Sequence, residues 1–428
     1  MIMKIDYLRA MEVNRIRFAE GDAKASSEYI YPNQKADAEA IVRAFEEGRH
    51  VVSISKRTKV GMDGLMIQIA YLMATHKDDS LAVLPTQIRI LTGMSNVAWE
   101  QELKSKVPQC LENQIFHHGK LHRSKLKTLQ DALIIVDEVD TGDKQYQHLY
   151  TTLQEAGIMD VAKMRERNIR FVFTSATLLR ELYDLDKWGD LHYHYRMTVP
   201  PNYIGHKEFL ERDIIRDFYP LTTIAEAERW IKEDILDRYG TEDKRVHLVR
   251  LKVDKSNASL IKTACNRASI VFREHNSENR IPEDELKALF EGPLQSHVVL
   301  GIKGFFRRAN LIPNLWKMRI GATHECCTQR VDNNVQVQGL CGRMSGYWRQ
   351  TLDEGHLTGP YRTSVQAIQE YEDTYEDPFG PNSYKTAGFR KRKGKVRTSI
   401  PTIVSAQFIK GLNELMQAKL QQIHTLEQ

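Results

Sequence analysis

The residues best suited to chemistry stand where an apolar run stops. Ile134 to Asp140 reads IIVDEVD, so a short β-rich segment delivers two acids, Asp137 and Glu138, to its own end. In phosphoryl transfer the first of two such acids can hold Mg²⁺, while the second orients or deprotonates an attacking water. A strand that ends in acids is also a common accident. A second polar cluster follows about one crossover later, where Phe173 to Thr177 (FTSAT) ends another apolar run with the hydroxyls of Ser175 and Thr177. Upstream, Val51 to Ser55 (VVSIS) runs into Lys56-Arg57-Thr58-Lys59-Val60-Gly61-Met62-Asp63-Gly64, a loop crowded with cations that either meet phosphate or face solvent.

These groups need elements to hold them. The first half alternates strand-like runs with helical patterns, as in a parallel sheet covered by helices on both faces. Strands are expected at Val51 to Ser55, Leu81 to Pro85, Ala132 to Val136 and Arg170 to Phe173, with a buried helix over Leu65 to Met73. Ligands in such sheets bind beyond the carboxyl ends of the strands, where the unusual residues fall. Pro200-Pro201 disfavour helix and strand alike and suggest a boundary. A second alternation follows, with strands expected at Arg245 to Val253, Ser269 to Arg273, His297 to Ile302 and Lys317 to Thr323. The reading is an α/β chain of two tandem lobes, 1–199 and 200–355, followed by an extension, 356–428.

The extension holds a cationic run, Gly388 to Thr398 (GFRKRKGKVRT), with Arg390, Lys391, Arg392, Lys393, Lys395 and Arg397 and no acid. Such a run either attracts a polyanion or forms a solvated surface segment. From Val404 to Ile423, apolar residues recur at helical spacing. A helix there packs on its own core or docks on a protein partner.

Composition narrows the class. The chain has 428 residues, 41% hydrophobic and 27% charged, enough for two or three cores of an ordinary soluble protein. It shows no apolar run of membrane-spanning length, and charges interrupt its first apolar stretch, so a cytosolic location is expected, or a viral compartment for a viral chain. Five cysteines without paired CxxC spacing argue against a disulfide framework and a zinc ribbon. His117-His118, His192 with His194, and His324-Glu325-Cys326-Cys327 read as packed or surface residues rather than ligands. The five tryptophans include candidates for a base-stacking platform, although packing is the plainer role.

DEVD followed by SAT resembles motifs II and III of the superfamily 2 helicases. Tyr31-Pro32-Asn33-Gln34 resembles their adenine-reading Q motif, Leu84-Pro85-Thr86 the nucleic-acid-contacting motif Ia, and Gln338 to Arg343 (QGLCGR) motif VI. LTGMSNVAW (91–99) and QGLCGRMSGY are similar to helicase-like proteins of large DNA viruses and phages. The resemblance implies two RecA-like lobes, ATP and Mg²⁺ as cofactors, and nucleic acid, DNA rather than RNA, as partner. It implies that Gln34 with Tyr31 reads adenine, Gly61 to Gly64 approach phosphate, Asp137 holds Mg²⁺ and Glu138 water. It further implies that Ser175 and Thr177 couple the site to nucleic acid, Pro85 and Thr86 touch that nucleic acid, and Arg343 meets the γ phosphate.

Two departures bear on activity. Met62 stands where the family's phosphate-binding lysine belongs and Asp63 where its Mg²⁺-ligating hydroxyl belongs, so a charge is lost and an acid gained, unless Asp63 itself ligates the metal. The second arginine of motif VI falls at Gly346, and Gln338 sits one place early. One transition-state cation is worth about three to five orders of magnitude in rate, so two functions stay open. The chain is an ATP-driven helicase or translocase, or a non-enzymatic nucleic-acid clamp or scaffold on an inactivated core. For the basic run, neutralising Arg390 to Arg397 should weaken nucleic-acid binding without changing sequence preference and flatten its dependence on salt, read from affinities across a salt series. An unchanged slope and affinity would mean a solvated segment only.

Overall fold

The structure is a computed structural model describing residues 30–142, 147–156, 160–178, 180–252, 256–304, 312–325, 333–347, 357–380, 389–392 and 396–399. The chain divides into two units, one of 1–57, 61–199 and 385–428, the other of 58–60 and 200–384.

The first unit is built on a six-stranded sheet of order β3-β2-β4-β5-β1-β6, all parallel. Its strands are β1 (Val51–Ser55), β2 (Ile88–Thr92), β3 (Ile115–Phe116), β4 (Ala132–Asp137), β5 (Ile169–Ser175) and β6 (His192–Arg196). β4 and β5 are buried along their whole length, as the near-continuous apolar runs of a two-sided parallel sheet require. Val51, Ile134, Val136, Phe171 and Phe173 form the centre of one core. Three helices matter for the site: α1 (Pro32–Glu46), α2 (Met62–Ala74) and α3 (Val97–Lys104).

One expected strand is displaced. Leu81 to Pro85 is not a strand, and the pairing falls to Ile88–Thr92, all five residues of which are buried. Leu84, by contrast, is 48% exposed. Both segments are short and apolar, and only the fit against β4 tells them apart. The strands β3 and β6 carry no run that separates them from loop in the sequence; HYHYR in β6 is half buried at an edge.

The second unit repeats the plan with order β7-β12-β11-β8-β10-β9, again all parallel. Its strands are β7 (Ile215–Asp217), β8 (Val246–Arg250), β9 (Val271–His275), β10 (Val298–Ile302), β11 (Ile320–His324) and β12 (Tyr361–Thr363). Trp230, Val249, Ile261 and Val299 anchor a second core. Two of its helices are α4 (Asn314–Arg319) and α5 (Leu340–Met344). Lys317 to Arg319 thus close a helix, and the strand expected from Lys317 begins only at Ile320. The sheet takes in β12, so it continues past residue 355 into the stretch the sequence reading assigned to the extension. Phe389–Arg392 and Val396–Ser399 form a separate antiparallel pair, β13 and β14. The helix expected from Val404 to Ile423 lies outside the described residues. No described helix is long and apolar enough to cross a membrane.

β12 is held by charge as well as by the ladder. Arg362 donates Nε to Asp234 Oδ2 and Nη2 to Oδ1, both at 2.7 Å, and the Asp234 side chain is 1% exposed. Replacing Arg362 by Met would leave that carboxylate buried without a counter-charge. The expected loss is about 3–5 kcal/mol in urea unfolding, and adding Asp234→Asn should recover part of it.

Candidate functional site

Because every strand of the first sheet runs the same way, their carboxyl ends share one edge. The register sets Thr92 beside Asp137, Asp137 beside Thr174, and Ser175 beside Ser55. The DEVD and SAT segments therefore meet in space. Ser175 Oγ donates to Asp140 Oδ1 and Thr177 Oγ1 to Asp140 Oδ2, both at 2.8 Å, so the last acid of DEVD ties the two loops together. Glu138 turns the chain with φ 51°, a left-handed conformation that costs a non-glycine residue roughly 1–2 kcal/mol. That turn keeps Glu138 at the sheet edge, 7% exposed, beside Asp137.

Two buried carboxylates need a cation, and Lys56 supplies it. Its Nζ lies 3.0 Å from Asp137 Oδ1 and 3.0 Å from Glu138 Oε1. β5 stands between β1 and β4, which at about 4.8 Å per strand are roughly 10 Å apart. Only a long side chain can cross that gap, and the small residues ending β5 leave it room. Burial alone would depress the Lys56 ammonium, but the charges of Asp137 and Glu138 outweigh it and hold its pKa above the ordinary lysine value. The other oxygen of Asp137 accepts the indole Nε1 of Trp99 at 3.0 Å. Trp99 is fixed in turn: its backbone N donates to the helix-capping Asn96 Oδ1, while neighbouring Glu100 receives Lys104 and Lys120.

This arrangement bears on Mg²⁺. The hard oxygens of Asp137, Glu138 and Asp140 suit that ion chemically. Yet Lys56 already stands between Asp137 and Glu138, and no metal-binding group of three or more His, Cys, Asp or Glu occurs among the described residues. Asp137 and Glu138 do not fit a divalent cation while Lys56 holds them.

The altered loop runs from Lys56 into α2. Gly61 is left-handed, with φ 90°, and precedes the helix. Met62 is 5% exposed and packs as an apolar residue. Asp63 pairs through Oδ2 with Lys106 Nζ at 2.7 Å, and Lys106 also reaches Glu102 Oε1 at 2.8 Å. Gln34 is buried on α1: its Oε1 accepts from Tyr31 N at 2.9 Å and its Nε2 donates to Gly61 O at 2.5 Å. A side chain at Gly64 would collide with that carboxamide. The Q-like segment and the loop are thus joined. α1 itself is fastened by Asp37, which accepts from Tyr195 Oη and from Thr198 N and Oγ1.

Pro85 and Thr86 do not join this group. They form a short turn before β2, on the amino edge of the sheet, whereas Asp137 is on the carboxyl edge. The strand expected to end at Pro85 begins instead at Ile88, which sets Pro85 and Thr86 before it. Of the basic run, Arg390, Lys391, Arg392 and Arg397 fall on β13 and β14, with Lys391 opposite Arg397; Lys393 and Lys395 lie outside the described residues, as do Cys326 and Cys327.

In the second unit, Arg343 is 2% exposed on α5. Glu325 positions the helix by accepting from Leu340 N at 2.8 Å and from Arg250 Nε at 2.9 Å. Past the helix, Gly346 has φ 144° and exchanges both backbone hydrogen bonds with Ile204. A Cβ at Gly346 would come within 2.8 Å of Lys317 Nζ. That ammonium donates to Ser345 O at 2.6 Å; burial, reinforced by the charge of Arg343, pulls its pKa down to about 7. Sequence reasoning did not place Lys106 or Asp140 beside the site's acids, and weighed Trp99 only as a packing residue or a base-stacking platform. Asp140 alone had a signal, its place in DEVD.

Solved structures share this architecture. Mss116p bound to ssRNA and AMP-PNP matches with a TM-score of 0.51 at 12% identity, over 86% of this chain and 75% of that one. The fold is that of a tandem RecA-like helicase core. A DEAD box protein from the hyperthermophile Methanococcus jannaschii is 12% identical, with a TM-score of 0.39, covering 79% of this chain and 89% of that one. S. cerevisiae Dbp5 bound to RNA and ADP BeF3 is 13% identical, with a TM-score of 0.42, covering 82% and 92%. No protein-family model matches the sequence, and no curated protein matches it either.

Lys56→Met should expose the dependence of the site on its cation. With both carboxylates left buried, the expected loss is about 3–5 kcal/mol of unfolding free energy, and Asp137→Asn in the same chain should restore part of it. Additive losses in that double-mutant cycle would show that the two residues do not act on each other.

Proposed function

We propose that this chain is a superfamily 2 helicase-like protein that binds nucleic acid, DNA in preference to RNA, and ATP, with hydrolysis weak or absent. The observation that carries the reading is the sheet edge where Asp137 and Glu138 are held by Lys56 and linked through Asp140 to Ser175 and Thr177. Lys56 supplies the positive charge that Met62 does not. Facing phosphates, it exchanges one anionic partner for another and releases Asp137, the residue that would hold Mg²⁺; the metal, when bound, neutralises developing charge. Glu138 orients water, Gln34 turns its carboxamide toward adenine, and Arg343 meets the terminal phosphate. The contact with nucleic acid expected at Pro85 and Thr86 falls instead to the loop after β2, residues 93–96, on the same edge as Asp137.

The second reading is a clamp or scaffold, in a viral or phage assembly, that binds nucleic acid without nucleotide. It is favoured by the double occupation of Asp137, with Lys56 on one oxygen and Trp99 on the other. Phosphate release and ATP binding, each with and without DNA or RNA, separate the two. The expected result is ATP binding with turnover below about 0.01 s⁻¹, some three orders under a typical enzyme rate of roughly 10 s⁻¹. Met62→Lys with Asp63→Thr should raise ATP affinity or turnover at least about tenfold, and Glu138→Gln should abolish gained turnover while sparing binding. Ordinary helicase turnover by the unmodified chain would overturn the weakened-site reading, and nucleic-acid binding without any ATP binding would favour the clamp.

A further inference from the structure

Two buried histidines in the second unit are tied into its sheet in a way that admits one protonation state. His247 on β8 and His297, the residue before β10, are both out of water. Ala322 N donates to His247 Nδ1 at 3.0 Å, so that nitrogen carries no proton and Nε2 carries one. His247 Nε2 donates in turn to His297 Nδ1 at 3.0 Å, which also accepts from Arg245 N at 3.2 Å. His297 Nε2 then donates to Gly240 O at 2.8 Å. Each ring is neutral, every ring nitrogen has a partner, and backbone groups at both ends of the relay set the two tautomers.

The relay stands where the sheet is irregular. Ile320 is paired with Val246 and Thr323 with Leu248, so Gly321 and Ala322 of β11 oppose His247 alone. Such a bulge disrupts the backbone ladder locally, and here the imidazole receives the N–H of Ala322. Gly321 makes the room, since a Cβ there would stand 2.6 Å from His247 Cε1. The side chain of His247 is therefore part of the junction between β8 and β11.

The groups around the rings oppose a further proton. The Tyr239 ring, from the helical turn Asp237–Tyr239, lies 5.6 Å from the His247 ring and 6.4 Å from the His297 ring, and Arg238 precedes it in the chain. Arg245 lies over the Tyr239 ring at 5.0 Å, donates Nη1 to Met318 O, and holds the carboxylate of Asp243 at 2.8 Å. From β11 come only Gly321 and Ala322. Burial first, then the nearby His297 and Arg245, hold the His247 imidazole well below the usual histidine range.

We propose that the His247–His297 relay is an acid-sensitive latch that closes the bulge between β8 and β11 when neutral and opens it when His247 takes a second proton. That proton, on Nδ1, sets an N–H against the N–H of Ala322. The effect reaches the other end of the same two strands, where Glu325, the residue after β11, accepts from Arg250 Nε of β8 and from Leu340 N of α5. The latch requires neither nucleotide nor nucleic acid.

The sign follows from linkage. Closed, His247 resists the proton; opened, it takes one near pH 6.5, so closure is fully favoured above about pH 6.5 and weakens about tenfold per pH unit below it. The test is hydrogen exchange of the full chain at pH 7.5 and 5.5, expressed as protection relative to the intrinsic rate at each pH. Segments 245–250 and 320–324 should lose about tenfold in protection, while 132–137 of the first sheet changes less than about twofold. His247→Asn offers Ala322 N an uncharged acceptor that does not titrate, and should hold protection within about twofold across the same range. His247→Gln serves if circular dichroism shows the first variant unfolded. Nitrogen-15 histidine spectra of the unmodified chain need no variant: both Nδ1 atoms should be unprotonated at pH 7.5, with charged imidazole appearing in step with the loss of protection. Unchanged protection at pH 5.5 in the unmodified chain, or an equal loss in the variant, overturns the latch. Loss in all three segments together is general acid unfolding and overturns it as well.

Discussion

The first unit depends on one buried ammonium. Asp137 and Glu138 are adjacent in sequence, both almost out of water, and a pair of carboxylates in that setting repel each other and lose hydration together. Lys56 makes the pair tenable by standing 3.0 Å from each. It can do so only because the sheet order puts β5, with its small terminal residues, between β1 and β4. The left-handed turn at Glu138, the Trp99 indole on Asp137 and the Asp140 link to Ser175 and Thr177 are all arranged about that charge. The same closeness means that anything positive brought to Asp137 must compete with Lys56.

The first unit holds a buried cation at another chain position than the resemblance expects. In the first, Met62 is apolar and buried where a lysine is expected, and the cation comes from Lys56, six residues earlier in the chain. In the second unit, Gly346 is held in a backbone conformation hostile to side chains, with the Lys317 ammonium close beside it. Phosphate is attracted to a potential at a point in space, which several chain positions can supply. Asp63 illustrates the other direction: an acid at the head of α2 is matched by Lys106 from a separate segment, which keeps its charge from acting alone on the sheet edge.

The polarity of a parallel sheet does the sorting. All strands present their carboxyl ends on one edge, so a residue's relation to strand direction decides whether it can share a site with Asp137. Gln34 enters from α1 because Asp37 fastens that helix near the end of β6 and Gly61 supplies the carbonyl that receives its amide. Pro85 and Thr86 are excluded by a shift of one short strand from 81–85 to 88–92. The change moves them from one edge to the other without altering any apolar pattern.

What the sequence by itself determined was the class and the plan: α/β, two parallel sheets, and acids at the end of β4 with hydroxyls at the end of β5. Buried parallel strands such as ALIIVD and IRFVFTS must be near-continuous apolar runs, and that leaves a local mark. Short edge or late strands such as β6 and β12 leave none, because their burial is partial or their pairing is made by residues far away. Lys56 was legible as a cation near the sheet edge, but whether it faced solvent or carboxylates depended on the strand order. Trp99, Lys106 and Lys317 were not legible, since each acts on a residue tens of positions distant through contacts that only packing creates. Local pattern records what a segment needs for its own burial; the position of a charge is decided by which segments the fold brings together.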